Sequence, residues 1–339
     1  MKKVYISKNY RNPYTASSKA KLDVEEIIKS VGFKNIGLPC RNFASTALGR
    51  TWTYVSIKLG ISRLPYKGYV ILQHPTYKIE NLVKKAKNQH NTIIIIIHDI
   101  NYLRNTGNEE ELNYLKDVSY VIVHSEPMKR YIETHFPGPK VVVLGIFDYL
   151  NSNLTHYKHG DEYQIAFAGN LEKSEFIHNL PKIPIKFNLY GIGGDKIPHA
   201  DNISYKGLFH PSKLGENIEG DFGLVWDGND VGNCTGSLGE YLKVISPHKL
   251  SMYLSAGIPV IVWKEAAVAH FVEERNVGIS INTLEELPDI INKISREQYF
   301  HMKEMSLKIA SLLKNGYFLK TAVSKCLEDK NHIAIDSYD

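Results

Sequence analysis

Cysteine is scarce in this chain: three in 339 residues, Cys40, Cys234 and Cys326, all far apart. There is no CxxC pair and no zinc-type spacing, which excludes a disulfide scaffold and points to free thiols in a reducing, cytoplasmic compartment. No apolar run approaches the roughly 20 residues that a bilayer-spanning helix needs. The first residues lead straight into a strand, so no signal peptide is expected. Lysine and arginine form no dense block, which argues against a nucleic-acid partner. The GxGxxG fingerprint, the P-loop and the GxSxG elbow are also missing. Asp227-Gly228-Asn229-Asp230 has no carboxylate cluster around it and does not read as a metal site. There is no short repeat and no low-complexity tract.

What is present suits a folded two-domain chain: 43% hydrophobic and 23% charged residues over 339 positions. The net charge of +5 and a pI near 8.8 fit anionic ligands or an acidic membrane surface without requiring either. Short apolar runs alternate with amphipathic ones, which predicts an α/β chain of two Rossmann-like, doubly wound domains with a cleft between them. In the first half, strands are predicted at 4–6, 33–38, 69–72, 92–97, 120–123 and 140–144. Ser17 and Ser18 are expected to cap a helix over about 19–30. The five consecutive isoleucines at 93–97 imply a central parallel strand. In the second half, strands are predicted at 164–168, 185–189, 202–206, 222–226 and 260–263. The expected boundaries are a first Rossmann-like domain over 1–150, a polar linker over 151–162, a second Rossmann-like domain over 163–315, and a helix within 316–339 folding back on the first domain.

Several strands stop at polar steps that could carry chemistry. His98-Asp99 follows the isoleucine strand, and a carboxylate or imidazole there could accept a proton from an attacking hydroxyl. His74 and His124 occupy analogous steps, so the residue types alone do not choose among them. Gly169-Asn170 and Tyr190-Gly191 could let backbone approach a base or ribose closely, or could be plain turns. Trp226-Asp227-Gly228 opens a long glycine-bearing loop to 245 that reads as a lid over a sugar site, with Asp227 able to bond a hydroxyl.

Ser246-Pro247-His248-Lys249 opens the most sharply punctuated stretch. Ser246 reads as an N-cap, Pro247 as the first helical residue, Gly257 and Pro259 as the stop. A helix start favours anions, and a lysine in its first turn opposes the macrodipole unless an anion lies between. The expected ligand is a diphosphate; the plainer alternative is a capped surface helix with a solvated lysine.

The runs Phe222-Gly-Leu-Val-Trp-Asp-Gly228, Gly239-Glu-Tyr-Leu-Lys243 and Pro247-His-Lys-Leu-Ser-Met-Tyr-Leu-Ser-Ala-Gly-Ile-Pro-Val-Ile-Val-Trp263 resemble bacterial GT-B sugar transferases. The resemblance is to β-1,6-galactofuranosyltransferases and to the glucosyltransferase that adds the second sugar to serine-rich adhesins. Ser17-Ser-Lys-Ala-Lys21 and His98-Asp99 with Leu103-Arg104 fit the same pattern. It implies a UDP-sugar donor on the second domain, an acceptor on the first, no metal or other cofactor, and a homo-oligomer. By analogy the diphosphate meets Ser246, Pro247, His248, Lys249 and the loop at Thr15, Ser17 and Ser18. Uridine meets Gly169, Asn170, Tyr190 and Gly191; the sugar and acceptor meet His74, Asp227 and Gly228. Asp99 or His98 would be the base. One departure is Met252, where many retaining relatives carry glutamate; it favours inversion.

The function expected is transfer of galactofuranose or glucose from a UDP-sugar to a glycan, lipid-linked or glycoprotein acceptor, with peripheral membrane contact allowed. A non-catalytic companion subunit and a UDP-sugar epimerase are the alternatives.

Overall fold

A computed structural model describes residues 1–7, 16–39, 46–150 and 152–333. The chain divides into two compact units. Unit 1 comprises Met1–Leu144 and Gly316–Asp339, and unit 2 comprises Gly145–Asn315.

Unit 1 begins with β1 (Lys3–Tyr5), α1 (Ala16–Ser30), β2 (Lys34–Asn35) and α2 (Thr46–Ser62). It continues through β3 (Tyr69–His74), α3 (Ile79–Asn88), β4 (Thr92–Ile97), β5 (Tyr120–Val123), α4 (Glu126–His135) and β6 (Lys140–Val143). The strands form one parallel sheet in the order β2-β1-β3-β4-β5-β6. Strand β4 sits inside it, with Ile93 to Ile97 fully buried, because a central parallel strand has both faces covered. The second strand is shorter than expected. The Asn35 side chain accepts bonds from Ser7 N (3.1 Å) and Gly37 N (2.9 Å), which turns the chain off the sheet after two residues.

Unit 2 runs β7 (Gln164–Asn170), β8 (Lys186–Ile192), β9 (Ile203–Gly207), α5 (Pro211–Asn217), β10 (Phe222–Val225), α6 (Gly236–Tyr241) and α7 (His248–Ser255). Then follow β11 (Val260–Trp263), α8 (Ala269–Glu274), β12 (Gly278–Ile281), α9 (Leu287–Lys293) and α10 (Arg296–Lys314). Its sheet, also parallel, has the order β12-β11-β10-β7-β8-β9. Residues 152–162 are tied to this unit: Thr155 Oγ1 donates to Ile218 O (2.6 Å), and His159 Nδ1 lies 2.9 Å from the buried Asp221 Oδ1. The last helix, α11 (Tyr317–Ile333), belongs to unit 1 and packs on α1.

Each sheet grows first to one side and then to the other, so each has a point where the connections reverse. In unit 1 it lies between β1 and β3, in unit 2 between β7 and β10. Outside the carboxyl ends of strands at such a point, flanking loops part and a ligand crevice forms. Among the described residues no helix is long and apolar enough to cross a membrane.

Candidate active site

In unit 2 the reversal point is occupied by Lys249. Its helix, α7, is held there by Tyr253, whose ring fills the space over Gly223. A Cβ at Gly223 would lie 2.2 Å from that ring. The Tyr253 hydroxyl accepts a bond from Ala168 N (2.7 Å) and lies 3.2 Å from Ala166 O, which joins α7 to β7. The first turn of α7 therefore falls beside the ends of β7 and β10. Lys249 Nζ donates to Trp226 O (3.0 Å) and pairs with Asp227 Oδ2 (3.0 Å), and it stands 4.8 Å from the centre of the Phe167 ring. Carbonyl, carboxylate and ring face all favour a cation, so the ammonium is fixed. The plainer expectation of a solvated lysine is thereby corrected.

The helix start is also corrected. Pro247, not Ser246, is the N-cap, with φ −66° and ψ 137° and no side-chain cap bond, and the first helical residue is His248. Ser246 is buried one residue too early to cap, while the proline ring fixes a φ that suits the extended entry. The His248 ring packs against Tyr149 (5.1 Å between centroids) and Phe147 (6.1 Å). Met252 is buried within α7.

The stretch expected as a lid is folded on itself. It contains α6, and Trp226 Nε1 donates to Asp230 O (3.1 Å). Gly228 has φ +136°, and a Cβ there would meet Cys234 Cα at 2.9 Å, so glycine serves this fold-back. The Cys234 thiol sits in the same corner. Burial pushes it up to about 12, so it stays a neutral thiol beside Asp227 and Lys249.

Gly169 and Asn170 end β7, where the Asn170 side chain accepts from Glu172 N (3.1 Å). Gly191, at φ +133°, lies so close to β7 that a Cβ would fall 1.8 Å from Gly169 O. The neighbouring Tyr190 side chain is fully buried, its hydroxyl accepting from Glu219 N (2.7 Å) and lying 3.3 Å from Asn217 O, as the plainer reading of this turn expects.

In unit 1 the step after β4 holds His98 and Asp99. His98 Nε2 lies 2.7 Å from Gln73 Oε1. Asp99 Oδ1 is 3.3 Å from Arg104 Nη1, with about a quarter of its side chain (26%) open to solvent. Burial raises the Asp99 carboxyl above the usual carboxylate range, while Arg104, Lys21 and His74 pull it back. The buried Lys21 ammonium is lowered by desolvation and supported by Asp99. His74 is buried and its Nδ1 lies 2.9 Å from the Tyr114 hydroxyl. Its Nε2 is 3.7 Å from Glu111 Oε2. Burial works to raise Glu111, but bonds from His74, Tyr102 N and Asn101 outweigh it and lower its carboxyl. His124 is different: fully buried, bonded to Ile97 O (2.9 Å) and pushed down to about 4 by desolvation, it is a neutral structural imidazole.

Ser17 and Ser18 lie inside the first turn of α1, which begins at Ala16, so neither caps it. Thr15 is outside the described residues. Glu111 and Tyr114 were invisible as site residues in the sequence, because only the fold brings them to His74. Among the described residues no group of three or more His, Cys, Asp or Glu could hold a metal.

Two Rossmann-like units of this kind in one chain make the GT-B fold, shared with a Thermosynechococcus sucrose-phosphate synthase and with WaaG. Residues 3–146 match the amino-terminal domain, and residues 165–326 the carboxyl-terminal domain, of the glucosyltransferase 3-like family. The chain belongs to that family. It is 32% identical over 245 residues to the β-1,6-galactofuranosyltransferase WbbI of Escherichia coli K12, covering 70% of this chain and 72% of that one. It is 28% identical to glucosyltransferase 3 of Streptococcus gordonii, covering 89% and 91%. Among solved structures, Anabaena Alr3699/HepE in complex with UDP shares the fold at a TM-score of 0.59 and 15% identity, covering 97% of this chain and all (100%) of that one.

Proposed function

We propose that the chain transfers a hexose, galactofuranose or glucose, from a UDP-sugar to a hydroxyl of a glycan, lipid-linked or glycoprotein acceptor. The observation that carries this is the fixed Lys249 ammonium at the start of α7, at the reversal point of unit 2. When the anomeric carbon–oxygen bond breaks, the electron pair leaves with UDP. Lys249 and the helix start stabilise that charge without a metal. The acceptor oxygen bonds to the anomeric carbon, and its proton passes to Asp99. The raised carboxyl of Asp99 supports that role, since a base works best with an affinity for protons near the working pH. A buried Met252 in place of glutamate agrees with inversion. The two donor sugars are those named for the galactofuranosyl- and glucosyltransferase relatives, and the UDP held by the Anabaena neighbour supports the nucleotide. Self-assembly, a cytoplasmic location and peripheral attachment to the inner face of the membrane belong to the same proposal.

The test is thermal denaturation with UDP. At a hundredfold excess over Kd the midpoint of unit 2 should rise by roughly 5–10 °C, and Lys249→Ala should remove most of the rise. No rise in the unaltered protein would overturn the donor assignment and favour a companion subunit. UDP-sugar interconversion without acceptor would instead indicate an epimerase.

A further inference from the structure

The positive charge of this chain is not spread evenly. From Ile27 to Ile79 there is no aspartate or glutamate at all, while eight lysines and arginines occur. The whole chain carries only +5, so this segment exceeds the total excess. It includes α2, which the fold presents rigidly. Its inner face is small and tightly seated: Gly60 abuts Ile6, and Ser56 Oγ donates to Ser7 O (2.6 Å) and accepts from Leu38 N (2.9 Å).

The outer face is apolar and basic. Leu48 is 60% exposed, Tyr54 40% and Val55 39%, at helical spacing along one side. Lys58 Nζ lies 4.8 Å from the Tyr54 ring centre. Tyr77, 58% exposed, has Lys78 Nζ at 5.2 Å from its ring. Bonding from Lys58 lowers the Tyr54 phenol, and the charges of Lys58 and Lys78 add to this. Single exposed apolar residues need no explanation, but a group of them ringed by charge of one sign does. Tyrosines with a wet hydroxyl and lysines with long apolar stems suit the boundary between headgroups and acyl chains.

We infer that this face of unit 1, formed by α2 and the Tyr77–Lys78 turn, docks on an anionic lipid surface. The inference rests on the proposed peripheral attachment and assigns it a site. Charge complementarity selects the occupant: basic residues near an acidic leaflet are each attracted to it, and across the segment they meet no carboxylate before the exposed Glu80 just beyond its end. A second copy of this chain across a two-fold axis would set the same cations against each other. The Tyr77–Lys78 turn follows the carboxyl end of β3 by three residues, so the patch borders the edge that carries His74, His98 and Asp99. A lipid-linked acceptor bound at that edge would keep its anchor in the bilayer.

The test is co-sedimentation with vesicles of phosphatidylglycerol and phosphatidylcholine, against phosphatidylcholine alone. The unaltered protein should bind the anionic vesicles, less so at high salt, and the neutral ones weakly. Two variants probe the face: Lys58→Glu with Lys78→Asn, since φ 54° at Lys78 suits asparagine, and Leu48→Ser with Tyr54→Ser. Each should reduce partitioning at least about tenfold, with the melting temperature, UDP binding and transfer to a soluble acceptor unchanged. If the unaltered protein ignores anionic vesicles, peripheral attachment itself fails. If it binds and both variants bind equally well, attachment stands and this surface is overturned. Equal binding to neutral vesicles refutes the charge argument. A change of oligomeric state in the variants, with vesicle binding intact, would make the face an interface between copies.

Discussion

Lys249 and Asp227 form an ion pair of 3.0 Å across the end of β10, with the lysine also bonded to Trp226 O. The carboxylate holds the cation in place and competes with any diphosphate for it. Asp227→Asn should therefore tighten UDP binding about fivefold, the value of a partly exposed pair, while lowering transfer at least about tenfold if Asp227 orients the sugar. Isothermal titration and initial rates separate the two. A fall in UDP affinity matching that of Lys249→Ala would mean that Asp227 serves only to position the lysine.

Asp99 and Arg104 make a prediction about pH. Burial raises the carboxyl and Arg104 opposes the rise. A base must be deprotonated, so transfer should fall as pH drops through the Asp99 range. Arg104→Ala removes the opposing cation, and the acid limb of the rate profile should move to higher pH, with Arg104→Lys restoring much of it. Asp99→Asn should cost roughly 10²–10⁴ in rate with UDP binding kept. An unmoved acid limb in Arg104→Ala would point to a different base.

His124 bears on stability. Its folded value, near 4, is below the unfolded 6.5, because burial penalises the imidazolium. Between those values the unfolded chain binds a proton that the folded chain does not, so stability rises with pH there. The stabilisation is complete above about pH 6.5 and declines by roughly 3 kcal/mol as the pH falls towards 4. His124→Asn should flatten that slope in urea titrations of unit 1 at pH 7.5 and 5. An unchanged slope would show that other groups set it.

Tyr190→Phe tests whether the ring is core or ligand surface. The hydroxyl serves Glu219 N and Asn217 O inside unit 2, so its removal should cost about 1–3 kcal/mol and leave UDP affinity unchanged. A several-fold loss of UDP affinity at unchanged stability would return the ring to the site.

The strand ends before His98 and near Asp227 were legible because buried parallel strands are apolar on both faces and break off where polar residues begin, whereas β3 runs on through Gln73 and His74, two residues past the expected end. What each polar residue does there was less legible. His74, His98 and His124 have the same local signature and differ only in distant partners: Tyr114 and Glu111, Gln73, and the Ile97 carbonyl. Tyr190 beside a glycine turn reads equally as a site edge or a core edge until Glu219 is brought to its hydroxyl. Ser246 before a proline reads as a cap, but the Pro247 backbone takes that position with no side-chain bond. The acid-free segment was readable too, but as an absence over 53 residues it escapes a search for dense basic blocks.

The return of α11 to unit 1 bears on how the protein can be divided. Gly316, at φ +69°, turns the chain so close to Ile27 that a Cβ would lie 2.8 Å from it, and Leu319, Ala322, Val323 and Cys326 are buried there. A fragment truncated after Leu144 would leave the matching surface of α1 bare and prone to clump. Joining Leu144 directly to Gly316 keeps that cover, whereas Gly145–Asn315 is already an uninterrupted piece of polypeptide. The carboxyl-terminal half is thus the natural one to excise for nucleotide titrations.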